Sequence, residues 1–159
     1  MKIALARITP EGVDFAHRAC ADDFDILKEL LATGEVLSFS AIEIQAMVTA
    51  RADYYDVDGR VSTRVGLACS RCLTPFTHTL NQRFSIRFSQ QIPKDISSDE
   101  EADIELTADQ VGLIFFDGKE LDLKDPIQEQ VVLALPYKPL CRPDCKGLCP
   151  KKAITYRAI

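Results

Sequence analysis

The sequence predicts an α+β fold: an antiparallel sheet of long strands, two helices packed on it, and a Cys-rich C-terminal tail. Three observations carry this. Between Ile42 and Phe88 apolar and polar residues alternate with a period of two through three successive runs, the pattern of strands with one buried and one wet face. Two stretches, near 22–33 and 126–134, carry apolar residues at helical spacing beside start and stop signals. The tail from Tyr137 onward is rich in Pro and Cys and cannot pack a core alone, so it needs a clasp.

Element by element, "KIALARI" alternates weakly and predicts a first strand. In "DFDILKELLATG" Phe24, Leu27, Leu30 and Leu31 recur at helical spacing, with Asp22 or Asp23 as cap and Gly34 as stop. "IEIQAMVTARADYY" puts Ile42, Ile44, Ala46 and Val48 on one parity, continuing through Ala50, Ala52 and Tyr54. Asp58-Gly59 is a hairpin signal, so a turn is expected there. "VSTRVGLAC" then returns with Val61, Thr63, Val65, Leu67 and Cys69 on one side, and "FTHTLNQRFSIRFSQ" follows as a third strand. "CSRCLTP" is the connection between the second and third strands, a knuckle at a hairpin end. Residues 92–109 are polar, acidic and aperiodic, which predicts a mobile loop. "GLIFFDGKELDL" reads as a short hairpin around Asp117-Gly118 or as a bulged strand. Asp125 as cap and Pro126 at the first helical position open the second helix, which Pro136 ends.

At 159 residues, the whole of 1–159 is expected to form one domain. With 47% hydrophobic and 27% charged residues, the chain is globular rather than disordered. "MKIALARITPEGVDF" has the features of neither a signal nor a transit peptide, and no apolar run reaches the ~18 residues that span a bilayer. A cytoplasmic setting without membrane association is expected. There thiols stay reduced, which makes a disulfide framework the weaker reading of the cysteines. The net charge of −5 is unevenly spread: twelve acids against Lys119 and Lys124 between Asp95 and Glu129, then six bases against Asp144 from Tyr137 on. A basic end on an acidic chain can still approach RNA, because a local field acts within a Debye length of ~8–10 Å. A solvated loop and a solubilising tail account for the same distribution.

Cys69 and Cys72 have the C-x₂-C spacing that bites one tetrahedral zinc ion, at ~2.3 Å per bond. Cys141, Cys145 and Cys149 are spaced within the range of zinc ligands, so the second pair should come from them. Unliganded thiols and redox exchange at Cys69 and Cys72 are the alternatives, and His78 behind the knuckle is a lesser ligand candidate. No phosphate-cradling glycine loop, nucleophile elbow or metalloprotease motif is present, and no small-molecule substrate is evident. The chain does not read as an enzyme.

The order "CSRCLTPF", an acidic variable region, "ELDLKDPIQEQVVLALPYKPLC" and "DCKGLCP" resembles the bacterial YceD family, described as large ribosomal RNA subunit accumulation proteins, with relatives in chloroplasts. The specific segments are Leu67 to Phe76 and Glu120 to Pro150. The resemblance implies a role in maintaining 23S rRNA during ribosome assembly, with no established catalytic chemistry. Family members with a full set of cysteines continue Gly-Leu-Cys-Pro-x-Cys, whereas Lys152 stands at the second of those cysteines here. A two-base shift of frame within "KAITYRAI" can encode Gly-Asn-Asn-Leu-Ser-Cys, close to the family continuation. The expected ligands are therefore Cys69, Cys72, Cys145 and Cys149, with Cys141 as the alternative. The expected function is non-enzymatic support of 23S rRNA accumulation and large-subunit assembly. The partner would be 23S rRNA, its precursor, or a large-subunit ribosomal protein. Arg60, Arg64, Arg71, Lys146 and Lys151 are the candidate phosphate contacts, and zinc is the candidate structural cofactor. A protein–protein adaptor without RNA contact, or a zinc-binding protein of another role, is the alternative.

Overall fold

In the computed structural model, which describes residues 1–90 and 112–148, eight strands and two α-helices follow one another. β1 (Lys2–Ala4) and β2 (Val13–Ala19) precede α1 (Asp25–Thr33). β3 (Ser38–Phe39), β4 (Ile42–Ala50), β5 (Tyr55–Ala68) and β6 (Pro75–Ser89) follow. β7 (Leu113–Phe115), β8 (Glu120–Asp122) and α2 (Lys124–Leu133) complete the order. The expected α+β architecture is what forms. The main sheet runs β2-β4-β5-β6-β7, with β3 also on β5, and is antiparallel except where β7 joins β6 in parallel. β1 and β8 make a separate antiparallel pair.

The period-two pattern places the core. Ile42, Ile44 and Val48 of β4, Val57, Val61 and Val65 of β5, and Phe84, Ile86 and Phe88 of β6 are all buried on one face. Phe24 and Leu27 from the α1 segment and Ile127 and Val131 of α2 pack into the same cluster. Each such side chain contributes about 1.5–3 kcal/mol on leaving water. The two helices meet at their N-terminal turns. Buried Gln128 accepts from Ile26 N at 3.3 Å, satisfying a free helix-start donor, and donates to Asp125 at 3.2 Å.

Four sequence expectations change. Asp58-Gly59 is not a turn: it lies inside β5, and the β4–β5 reversal falls at 51–54. Gly59 meets a packing demand instead, since a Cβ there would stand 2.5 Å from Gln45 O and 2.8 Å from Phe84 Cζ. The reversal itself is held by Asp56, which pairs with Arg51 and Arg87, each at 3.3 Å. Asp117-Gly118 closes no hairpin, because β7 pairs with β6 and β8 with β1. Gly118, at φ 112°, lets the chain turn between them. Asp23 caps the short 3-10 turn before α1, accepting from Cys20 N at 2.7 Å, while Phe24 holds the cap position of α1 itself. Asp125 and Pro126 sit inside the first turn of α2, behind Leu123 as cap. The stop at Gly34 stands, with φ 77°. The loop expected at 92–109 lies outside the described residues.

Candidate metal centre

β5 and β6 pair without interruption from Tyr55↔Phe88 to Ala68↔Pro75, so the connection 69–74 emerges at the far end of a long, rigid ribbon. Two backbone bonds shape it: Cys69 N to Thr74 O at 3.0 Å and Leu73 N to Cys69 O at 2.9 Å. Leu73 takes φ 61°, left-handed backbone that costs an L residue about 1–2 kcal/mol. That cost is accepted at a bend which brings Cys69 and Cys72 to the same side.

The tail returns to this knuckle. Ser70 N donates to Pro139 O at 2.8 Å, and Arg71 Nη1 donates to Cys145 O at 2.7 Å. Cys145 N closes a turn on Arg142 O at 3.1 Å. Gly147, at φ 85°, lies against Arg71, whose carbonyl oxygen would be 3.4 Å from a Cβ there. Cys69 and Cys145 are buried, and Cys72 and Cys141 half-buried.

The four sulfurs meet. Cys69 Sγ lies 3.7 Å from Cys145 Sγ, and Cys72 Sγ 3.7 Å from Cys141 Sγ. All four lie within 4.8 Å of one another. A tetrahedron of sulfurs at ~2.3 Å from a zinc ion has edges of about 3.8 Å, so two edges already match and the others need close by no more than about 1 Å. The group could hold a metal. It includes Cys141, the alternative of the sequence reading, and His78 is not part of it. Cys149 and Lys151 lie outside the described residues.

The electrostatics favour thiolate at the knuckle. The backbone N–H of Cys141 is the largest influence holding Cys69 down, from an ordinary 9.0 to about 6. Burial opposes it, and the N–H groups of Cys72 and Arg71 add to it. The Thr74 hydroxyl, 3.4 Å from Cys72 Sγ, lowers Cys72. Burial, then the neighbouring Cys72 thiol, pushes Cys141 up to about 12. Four crowded thiols cannot all ionise without a cation, so the first to ionise holds back the last.

One titration follows. With the tail docked, Cys69 ionises near pH 6. Once zinc removal frees the tail the Cys141 N–H is lost, so thiolate ultraviolet absorbance of chelator-treated protein should rise nearer the ordinary 9.0. The sign is that of a depressed pKa: the stabilisation from Cys69 is complete above pH 9 and disappears as pH falls through 6. A first thiolate step that stays near pH 6 after zinc removal would show that the tail remains docked without the metal.

The predicted phosphate contacts divide. Arg60 and Arg64 stand exposed on the sheet face opposite the core, and Lys146 is exposed at the tail turn. Arg71 commits one N–H to Cys145 O. A separate open cleft of about 580 Å³ lies beside β7, β8 and α2, where Glu120, Asp122, Asp125 and Glu129 face Lys2 and Lys119. Lys2 pairs there with Glu120 at 3.6 Å.

A family model described as large ribosomal RNA subunit accumulation protein YceD matches residues 57–157, which take in most of β5, the knuckle and the returning tail. The chain belongs to the YceD family. Uncharacterized proteins of Mycobacterium tuberculosis and Mycobacterium bovis are each 35% identical over 95 residues, 60% of this chain and 42% of theirs. One of Mycobacterium leprae is 35% identical over 97 residues, 58% of this chain and 39% of its own length. The chain thus spans about two fifths of the curated relatives it matches. No solved structure matches. The YceD description ties the family to large-subunit rRNA accumulation and names no catalytic activity. Among the described residues no helix is long and apolar enough to cross a membrane.

Proposed function

We propose that the protein is a non-enzymatic cytoplasmic factor supporting 23S rRNA accumulation and large-subunit assembly, with a structural zinc ion clasping its tail. The observation that carries this is the four-sulfur group. It joins the knuckle to the tail at Cys141 and Cys145, residues that fall within the two segments in which the YceD resemblance is specific. Zinc suits the site because soft thiolates in a closed tetrahedral set leave no open position for chemistry. Cys69, Cys72, Cys141 and Cys145 would hold the ion, with Cys149 able to exchange for one of them. When bound, the ion supplies cohesion. The chain's own donors, the N–H groups of Cys141, Cys72 and Arg71, keep Cys69 ready as thiolate. Arg60, Arg64, Arg71, Lys146 and Lys151 would contact phosphates of 23S rRNA or its precursor.

Two measurements test this. Freshly purified untagged protein should contain about one zinc per chain with four protected thiols. No zinc, with all thiols titrating, overturns the clasp. A strain lacking the gene should lose 23S rRNA relative to small-subunit rRNA and regain it on complementation, and an unchanged ratio overturns the cellular role. Rescue that depends on binding a ribosomal protein, with no affinity for the RNA, replaces the RNA partner by that protein.

A further inference from the structure

Residues paired in register share a face of the sheet, which gives the surface opposite the core row by row. Arg18, Glu43, Ser62 and Asn81 form one row, and Ala16, Gln45, Arg60 and Arg83 the next. Arg64 stands beside Thr79, one row nearer the knuckle. The four arginines are exposed. Arg60 and Arg83 are direct cross-strand neighbours, an arrangement that like charges disfavour. Among the described residues none of the four has a carboxylate at ion-pair distance, and Arg60 reaches only Gln45 Oε1 at 3.4 Å. Arg87, further along the same face, is neutralised by Asp56 at 3.3 Å. Asp14 and Asp58, one row over, line a cleft with Arg60 and Arg83. Four arginines thus stand against Glu43 and these two carboxylates, and the excess positive charge lies toward the knuckle.

The backbone adds a second feature. β3 and β4 meet β5 in registers that differ by one residue, so Ser40 and Ala41 oppose Arg64 in a β-bulge. Ser40 Oγ accepts from Arg64 N at 2.9 Å and Ser40 N donates to Arg64 O at 2.8 Å, which fixes the base of that arginine. Beside the bulge a depression of about 240 Å³ opens between Arg18 and Arg64, lined in part by Ser40, Ser62 and Thr79, with Glu43 as its carboxylate.

We propose that this half-face binds the sugar–phosphate backbone of RNA through Arg18, Arg60, Arg64 and Arg83. The proposal rests on the rRNA reading above, and it adds Arg18 and Arg83 to the contacts and places their centre on the sheet. Guanidinium forks match phosphate oxygens in geometry and charge. Arg60 and Arg64 are about 13 Å apart along the strand at ~3.3 Å per residue, so the strip spans several phosphates. Ser62, Thr79 and Asn81 offer hydrogen bonds to phosphate and 2′-hydroxyl oxygens between the charges. The rows carry no aromatic side chain on which a base could stack, so binding here is set by salt rather than sequence.

The test is equilibrium binding of the full chain to a 23S rRNA transcript over a range of salt. With all four arginines changed to Gln, affinity should fall at least about tenfold, and the slope of log K against log salt should flatten by up to about three. Glu43→Gln should tighten binding. Arg83→Gln alone should weaken it while melting at the same or a higher temperature, because a like-charge pair is relieved; this variant covers the case in which the quadruple variant fails to fold. Equal affinity and slope for wild type and folded variants overturns the surface, even if 23S rRNA falls in the deletion strain. RNA recruitment only through a ribosomal protein overturns it too. Arginine-dependent, salt-sensitive binding with normal 23S levels upholds the surface and overturns the cellular role.

Discussion

Cys145→Ser, or removal of zinc with a chelator, is expected to release the tail from the knuckle while the sheet stays folded. The sulfurs of Cys69 and Cys145 are buried but stand outside the main core cluster, which β4, β5, β6 and the helices complete without them. What else ties the tail down is slight. The Ser70–Pro139 backbone bond is worth about 0.5–1.5 kcal/mol net, and the charged Arg71–Cys145 bond about 1.5–3. Structural zinc sites contribute about 10–16 kcal/mol of apparent binding energy in small peptides, far above that sum. Zinc affinity of the variant should fall more than about a hundredfold, beyond what loss of a supporting outer-shell partner costs. The sharper reading is local: hydrogen exchange at the Ser70 amide should accelerate and proteases should cut between 137 and 148, with exchange at Val57 and Val61 unchanged. Protection of Ser70 that survives metal removal would show that packing alone holds the tail.

The sheet was legible because strand periodicity is a local signal. One face of β4, β5 and β6 is buried along its length, so each alternation survives in the sequence. β2 was not read: His17 is exposed on its core-side parity, and an edge strand with a weakly buried middle keeps no clear period. β7 and β8, three residues each, are too short for a period, and their pairing is decided by distant partners. The metal group was half legible. Spacing showed that Cys69 and Cys72 act together. It could not show which tail cysteines approach them, because the Pro139–Ser70 bond and the turn at Arg142 make that choice across some seventy residues of sequence. The arginine half-face was least legible, since Arg18, two strands away, and Arg83, across the β5–β6 pair, come onto one face with Arg60 only through register.

The misread Asp58-Gly59 pair supports the second large effect. Gly59→Ala should destabilise the protein by about 3 kcal/mol, the upper range for forcing atoms into a packed site. Ordinarily a Gly replaced by Ala at a compatible strand position gains about 0.4–1 kcal/mol by restricting the unfolded chain. Here an added Cβ meets Gln45 O at 2.5 Å, Ala46 Cβ at 2.7 Å and Phe84 Cζ at 2.8 Å. Only the last lies at the far end of a side chain that can move. Phe84→Leu should therefore rescue Gly59→Ala in part, with a residue of strain left at the β4 backbone. Gly59→Asn separates the two meanings of the sequence signal. In a hairpin turn with positive φ, Asn would be tolerated nearly as well as Gly. In the middle of β5, between Ala46 and Phe84, it brings more atoms into the same space and should melt below the Ala variant. An Asn variant as stable as wild type would move the β4–β5 reversal from 51–54 to Asp58-Gly59. It would also shift the β4–β5 register that sets Gln45 beside Arg60.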